Sequence, residues 1–313
     1  MSRTLLSLVV PCYNEEDALS TFFSQVVPAL EAIDETDFEI VCINDGSKDG
    51  TLPLLVSIAE TNARVRVIDL SRNFGKEAAL SAGLAEARGD IVVPFDADLQ
   101  DPPEVIARLV SKWREGFDVV LAKRSDRSSD SYLKRQSAMS FYRLHNKLAD
   151  LKIPEDVGDF RLMTREVVDT LNALPESRRF MKGLFAWVGF RTAEVTYVRN
   201  SRVAGQTKFS GWKLWNFALE GITSFSTLPL RMWTYFGLFV AATSFVYAAY
   251  LVIRTLVRGI DVPGYASIFV SLLFFSGVQM IGIGVIGEYI GRIYIESKRR
   301  PLYVIRRRYG RDA

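Results

Sequence analysis

The sequence predicts an α/β fold, a mostly parallel sheet covered by helices on both faces and followed by a smaller helical appendage. Three observations point to it. Short apolar, β-rich runs alternate with helix-like segments through the first half of the chain, and each run stops at a cluster of polar residues. Beyond residue 231, two long stretches carry no charged side chain. A chain of 313 residues is long enough for one large α/β domain, or for a medium domain with an appendage.

The strands are expected at Leu5–Val10, Phe38–Ile43, Val65–Leu70, Ile91–Phe95 and Val119–Ala122. Helix-like segments lie between them near 16–32, 50–61, 75–88 and 103–114. The strands read as continuous apolar runs rather than as alternating ones, which is the pattern of parallel strands buried on both faces. Ligands of such a sheet bind at the carboxyl ends of its strands. That edge is where the polar clusters fall: Pro11-Cys12-Tyr13-Asn14-Glu15, Asn44-Asp45-Gly46-Ser47, Ser71-Arg72-Asn73 and Asp96-Ala97-Asp98-Leu99-Gln100. A solvated loop explains any one of them. Four at one edge mark a site.

Asp96 and Asp98 stand two apart just past a strand, where an extended chain points both carboxylates the same way. Two like charges so close call for a cation. Hard oxygen ligands suit Mg2+ or Mn2+, and Gln100, two residues further on, is expected to supply a third oxygen. Asp101 has a plainer use as the cap of a helix begun by Pro102-Pro103.

Cys12 and Cys42 fall in or beside predicted strands and read as buried free thiols; with one histidine, His145, they make no metal site. Leu5 to Val10 is too short for a secretory signal and runs into Asn14-Glu15-Glu16-Asp17, so none is expected. The net charge of +3 is concentrated near the end of the chain, and no nucleic-acid partner is expected.

Met232 to Ile253 and Val262 to Gly287, of 22 and 26 residues, contain no Asp, Glu, Lys or Arg. At about 1.5 Å per residue, either crosses a hydrocarbon core of roughly 30 Å. They are read as two transmembrane helices, over 230–257 and 263–290, with Trp233, Tyr235, Tyr265 and Tyr289 as interface anchors. Ahead of them, Trp212, Trp215, Leu219, Ile222 and Phe225 recur every three or four residues, predicting an amphipathic interface helix over 211–228. Residues 291–313 form a basic tail: Arg292 to Arg311 carry eight Lys or Arg and one Glu. Two crossings and this positive bias put residues 1–210 and both termini in the cytoplasm, with multi-pass attachment to the membrane. Gly284, Gly287 and Gly291 share a helical face that would favour contact between the spans, or between subunits of a homo-oligomer.

The segments VVPCYNEE, NDGSKDGT, NFGKEAALSAGL, FDADLQDPPE, VGDFRLM, RVAGQTKF and GVIGEYIGRIY run along nearly the whole chain. Together they resemble the inverting GT-A glycosyltransferases of family 2, and within that family the polyprenyl-phosphate glycosyltransferases, with the bactoprenol glucosyltransferases the most similar. The resemblance implies a GT-A catalytic domain over 1–210 and transfer of a hexose, glucose from UDP-glucose foremost, to undecaprenyl phosphate for O-antigen or envelope glycan modification. It assigns the nucleotide sugar to Pro11, Tyr13, Asn14, Glu15, Asp45, Ser47, Asp96, Ala97 and Asp98. It assigns the metal and diphosphate to Asp96, Asp98 and Gln100. Asp159 matches the family's third important acid and is read as an orienting or weakly basic group, not an obligatory base, beside Asp98 in catalysis. Arg124, Arg127, Arg202 and Lys208 are candidates for the phosphate charges of acceptor or donor. The family often has two acids before Gly-Ser, and here the first position is Asn44.

Other donors, of the GDP-mannose or UDP-aminoarabinose type, stay open. A processive polysaccharide synthase is disfavoured, because no Gln-x-x-Arg-Trp run occurs. A nucleotide-binding membrane scaffold is the reading from outside enzymology, and metal-dependent turnover would separate it.

Overall fold

The computed structural model describes residues 3–125, 157–176, 179, 181–198, 228–258 and 264–310. His145, Arg127, Arg202, Lys208 and, apart from Leu228, the interface helix expected over 211–228 lie outside these residues.

An eight-stranded sheet runs in the order β7-β5-β6-β4-β1-β2-β3-β8. Its strands are β1 (Thr4–Cys12), β2 (Thr36–Asn44), β3 (Val65–Leu70), β4 (Ile91–Pro94), β5 (Val119–Arg124), β6 (Val157–Thr164), β7 (Thr192–Tyr197) and β8 (Ile305–Tyr309). The centre is parallel, with β1 paired to β2 and β4, and β2 to β3. β6 enters antiparallel between β4 and β5, while β7 runs parallel to β5. The result is the expected mostly parallel sheet, made mixed by β6 and β8.

Alternation along the strands builds two cores, since successive side chains point to opposite faces. Leu6, Leu8 and Val10 of β1 join the layer of α1 (Glu16–Glu31), α2 (Thr51–Thr61) and α4 (Val105–Arg114). Val9 joins the opposite layer, made by α3 (Lys76–Glu86), α5 (Arg165–Ala173) and α6 (Met181–Trp187). α3 lies unusually close to the sheet. A Cβ on Gly83 would overlap the side chains of Val9 and Ile43, so only glycine lets the helix settle there. That seating aims the first turn of α3 at the carboxyl ends of β1 and β2.

The two uncharged stretches form long helices, α7 (Leu228–Arg258) and α8 (Tyr265–Ser297). Among the described residues one segment, Phe274–Ser297, is long and apolar enough to cross a membrane; α7 contributes a shorter apolar segment, Trp233–Tyr247. The helices meet where a Cβ on Gly282 would overlap the Trp233 indole. At Gly284, Gly287 and Gly291 an added Cβ meets nothing within 4 Å, so the contact within the chain uses a different glycine from the expected face.

Among the described residues of the expected tail, Arg292 lies inside α8, and residues 305–309 return to the sheet as β8, antiparallel to β3. Arg308 makes a bidentate ion pair with Glu86, 2.7 and 3.0 Å. Glu86 in turn lies 3.7 Å from Arg66, which pairs with buried Glu39 at 3.1 Å. Reading the segment as a basic tail missed that the two ends of this strand, Ile305 and Tyr309, pack against the two cores on either side of the sheet.

Candidate active site

The carboxyl ends of β1, β2 and β4 and the start of α3 enclose a cavity of about 320 Å3. Pro11, Tyr13 and Glu15 line it from β1, Asp45 from β2, and Asp96, Ala97 and Asp98 from β4. Seven of the nine expected donor residues therefore meet in one place.

The other two hold its rim. The Asn14 N–H donates to Ser47 Oγ at 3.1 Å, and Asn14 Oδ1 accepts from the Lys48 N–H at 2.8 Å, clasping the loop after β1 to the loop after β2. Asn14 adopts φ 54°, a left-handed conformation that asparagine tolerates better than most residues. Asn44 is buried and donates from Nδ2 to Asp69 at 2.7 Å. An acid at that position would face the Asp69 carboxylate, so the amide suits the neighbour that this chain has.

Asp45 accepts the Phe74 and Gly75 N–H groups, one on each oxygen, at 2.7 and 2.9 Å. Burial pushes its carboxyl up, and the two amides pull against that. Its immediate work is to hold the turn into α3.

Asp96 does not stand alone with Asp98. Lys76, the first residue of α3, places its Nζ 2.7 Å from Asp96 Oδ1, 2.9 Å from Asp96 Oδ2 and 3.0 Å from Asp159 Oδ2. Burial raises the Asp96 carboxyl above its ordinary range; Lys76 opposes this, and Asp159 and Asp98 add to it. For Lys76, burial alone would lower the ammonium pKa, but the carboxylates of Asp96 and Asp159 outweigh it and raise it. Sequence reasoning missed Lys76, because one lysine at a helix start looks like any solvated charge.

Gln100 does not join the pair. Leu99 takes φ 54°, which breaks the extended alternation, and the Gln100 N–H turns back to Asp98 Oδ1 at 3.2 Å. Gln100 is buried and does not line the cavity. Among the described residues, no three His, Cys, Asp or Glu side chains converge to enclose a metal by themselves. Asp96 and Asp98 still present hard oxygens to one cavity, a donor set that fits Mg2+ or Mn2+ completed by substrate oxygens.

Asp159 sits on β6 beside buried Arg161, whose guanidinium stacks 4.0 Å from the Phe185 ring centroid. Burial lowers the Arg161 pKa to about 10, and Asp159 works against that. Arg124, at the end of β5, approaches the Tyr197 hydroxyl at 3.4 Å and lies next to Gly158. Cys12 reaches the cavity wall, but a hydrogen bond with Cys42 and burial push its thiol well up, so it offers no thiolate nucleophile.

Residues 7–171 match Glycosyl transferase family 2, and residues 228–293 match the GtrB C-terminal hairpin. The chain is 59% identical to a bactoprenol glucosyl transferase of Shigella phage SfV, over 96% of this chain and 98% of that one. It is 56% identical to a prophage bactoprenol glucosyl transferase homolog of Escherichia coli (strain K12), over 96% and 98%. Among solved structures it is similar to the mannosyltransferase PcManGT from Pyrobaculum calidifontis in complex with GDP-Man and Mn2+. That likeness has 22% identity and a TM-score of 0.48, over 69% of this chain and 61% of that one. With its GT-A-like α/β domain and its two-helix hairpin, the chain belongs to glycosyltransferase family 2 and, within it, to the bactoprenol glucosyltransferase group.

Proposed function

We propose that the protein transfers glucose from UDP-glucose to undecaprenyl phosphate with inversion, producing a lipid-linked sugar for O-antigen or envelope glycan modification. The observation that carries this reading is the 59% identity, over nearly the whole of both chains, to a bactoprenol glucosyl transferase.

The nucleotide sugar would occupy the cavity, with its base and ribose along the loops that Asn14 and Ser47 clasp and its diphosphate toward Asp96, Ala97 and Asp98. Asp96 and Asp98 would hold Mg2+ or Mn2+, and the ion would supply neutralising charge for the departing diphosphate. A lipid monophosphate has a second pKa of about 6, so near neutral pH it is already the nucleophile. Its oxygen attacks the anomeric carbon as the bond to the diphosphate breaks and UDP leaves. One displacement inverts the centre, giving a β-linked product from an α-linked donor. Asp159 orients the reacting groups without having to remove a proton, and Arg124, Arg127, Arg202 and Lys208 are the cations proposed for the phosphates.

The assembly is proposed to sit on the cytoplasmic face of a bacterial inner membrane, with α7 and α8 as a two-crossing hairpin. The return of β8 to the sheet supports this, because it brings the end of α8 back to the catalytic domain. The test is a panel of labelled nucleotide sugars incubated with membranes containing the protein and undecaprenyl phosphate. UDP-glucose should give labelled lipid and EDTA should abolish it; selective use of GDP-mannose or a UDP-aminoarabinose-type donor would overturn the donor assignment.

A further inference from the structure

We propose that the Lys76 ammonium is the resident counter-cation of the carboxylate cluster, and that a divalent ion reaches Asp96 only by displacing it. This deepens the metal reading above and rests on it.

Among the described residues, the cavity is lined by four acids, Glu15, Asp45, Asp96 and Asp98, and by one cation, Lys76. The lysine is half exposed along its length, but its tip is held. Its Nζ contacts both oxygens of Asp96 and one of Asp159, thereby joining the end of β4 to β6. Its Cα is fixed as well. Asp45 holds the Phe74 and Gly75 amides immediately before it, and Gly83 seats the same helix against the sheet.

An exposed ion pair of this kind is worth little to stability. This one lies on the wall of the cavity and covers the oxygens that a metal would need. A divalent ion bound to a carboxylate sits about 2.1 Å from its oxygen. An ammonium already within 3 Å of both Asp96 oxygens cannot remain in place beside such an ion, because two positive charges would then lie in contact. Asp159 is the partner that keeps the displaced lysine. Lys76 is thus a positioning residue: it holds the metal-free cluster together and sets how strongly a metal must bind to enter.

The experiment is titration of Mn2+ into purified full-length protein without nucleotide, with free Mn2+ followed by electron paramagnetic resonance. Lys76→Met should bind Mn2+ at least about tenfold more tightly than the wild type, the scale expected for removing one competing charge at contact distance. Lys76→Arg, which keeps the charge, should stay close to the wild type. Equal or weaker Mn2+ binding by Lys76→Met would overturn the inference while leaving the metal reading standing. If neither wild type nor variant binds Mn2+ even with UDP present, the metal reading fails and the inference falls with it. Should Lys76→Met not fold, acylation of Lys76 in the wild type, read by mass spectrometry, decides: Mn2+ should raise its labelling, and unchanged or reduced labelling would contradict displacement.

Discussion

Asp96 meets a lysine and Asp98 meets its own chain, yet both carboxylates face the cavity where a diphosphate would lie. Asp96→Asn or Asp98→Asn should therefore lower turnover by about 100-fold or more, the scale seen when one group that stabilises developing charge is lost. Circular dichroism should show each variant folded, since neither side chain is part of a hydrophobic core. Asp159→Asn should slow the reaction by misplacing Lys76 and the acceptor, and raising the pH should not restore it. A pH–rate profile whose ascending limb disappears in Asp159→Asn, with full recovery at high pH, would instead make Asp159 a general base. At this scale the sequence is informative where several polar residues share one sheet edge, as with Tyr13, Glu15, Asp45 and Asp96. It is silent on Lys76, whose importance comes from β6 bringing Asp159 to it across 83 residues of chain. It misleads at Gln100, where one left-handed residue reverses the direction that spacing implies.

Among the elements, β8 couples the end of α8 to the sheet, and its ion pair to Glu86 makes that coupling pH-dependent. The hydrogen bond from Arg308, followed by its charge, holds the Glu86 carboxyl below the ordinary glutamate range. A depressed carboxyl contributes stability that is fully present above the unfolded value of about 4.3 and is lost as pH falls through the folded value. Because Arg308 is nearly half exposed, the contribution is about 0.5–1 kcal/mol. The thermal midpoint of wild type should thus exceed that of Glu86→Gln at pH 7, with the gap closing on acidification below the ordinary glutamate pKa; a gap independent of pH would contradict this. Gly282→Leu should separate α7 from α8 by driving a side chain into Trp233, at a cost of about 1–3 kcal/mol, read as a lowered midpoint in detergent. The strands β1 to β5 were legible because buried parallel strands are continuous apolar runs. β8 was not: an edge strand with Arg306, Arg307 and Arg308 at its centre looks like a solvated tail, although charge is a common guard on such edges. β6 carries the catalytic-looking Gly158-Asp159 and Arg161 among its apolar residues, and so reads as a motif before it reads as a strand.

Across the whole molecule, the structure joins a nucleotide-sized cavity to a helical hairpin through one sheet: β1, β2 and β4 end at the cavity, and β3 receives the strand that follows α8. Composition alone revealed both helices of the hairpin, because charge-free stretches of 22 and 26 residues are rare outside a bilayer or a large core. It could not reveal that the chain comes back, since the return depends on pairing between residues more than 230 positions apart. This cavity is proposed to move glucose onto a polyprenyl phosphate. The most direct measurement is transfer of labelled glucose from UDP-glucose to undecaprenyl phosphate by purified protein in lipid vesicles with Mn2+, wild type beside Asp98→Asn. The wild type should form a labelled lipid whose anomeric signal is β, and Asp98→Asn should form almost none. A folded wild type that makes no glucosylated lipid, or an Asp98→Asn variant that matches it, would contradict this assignment.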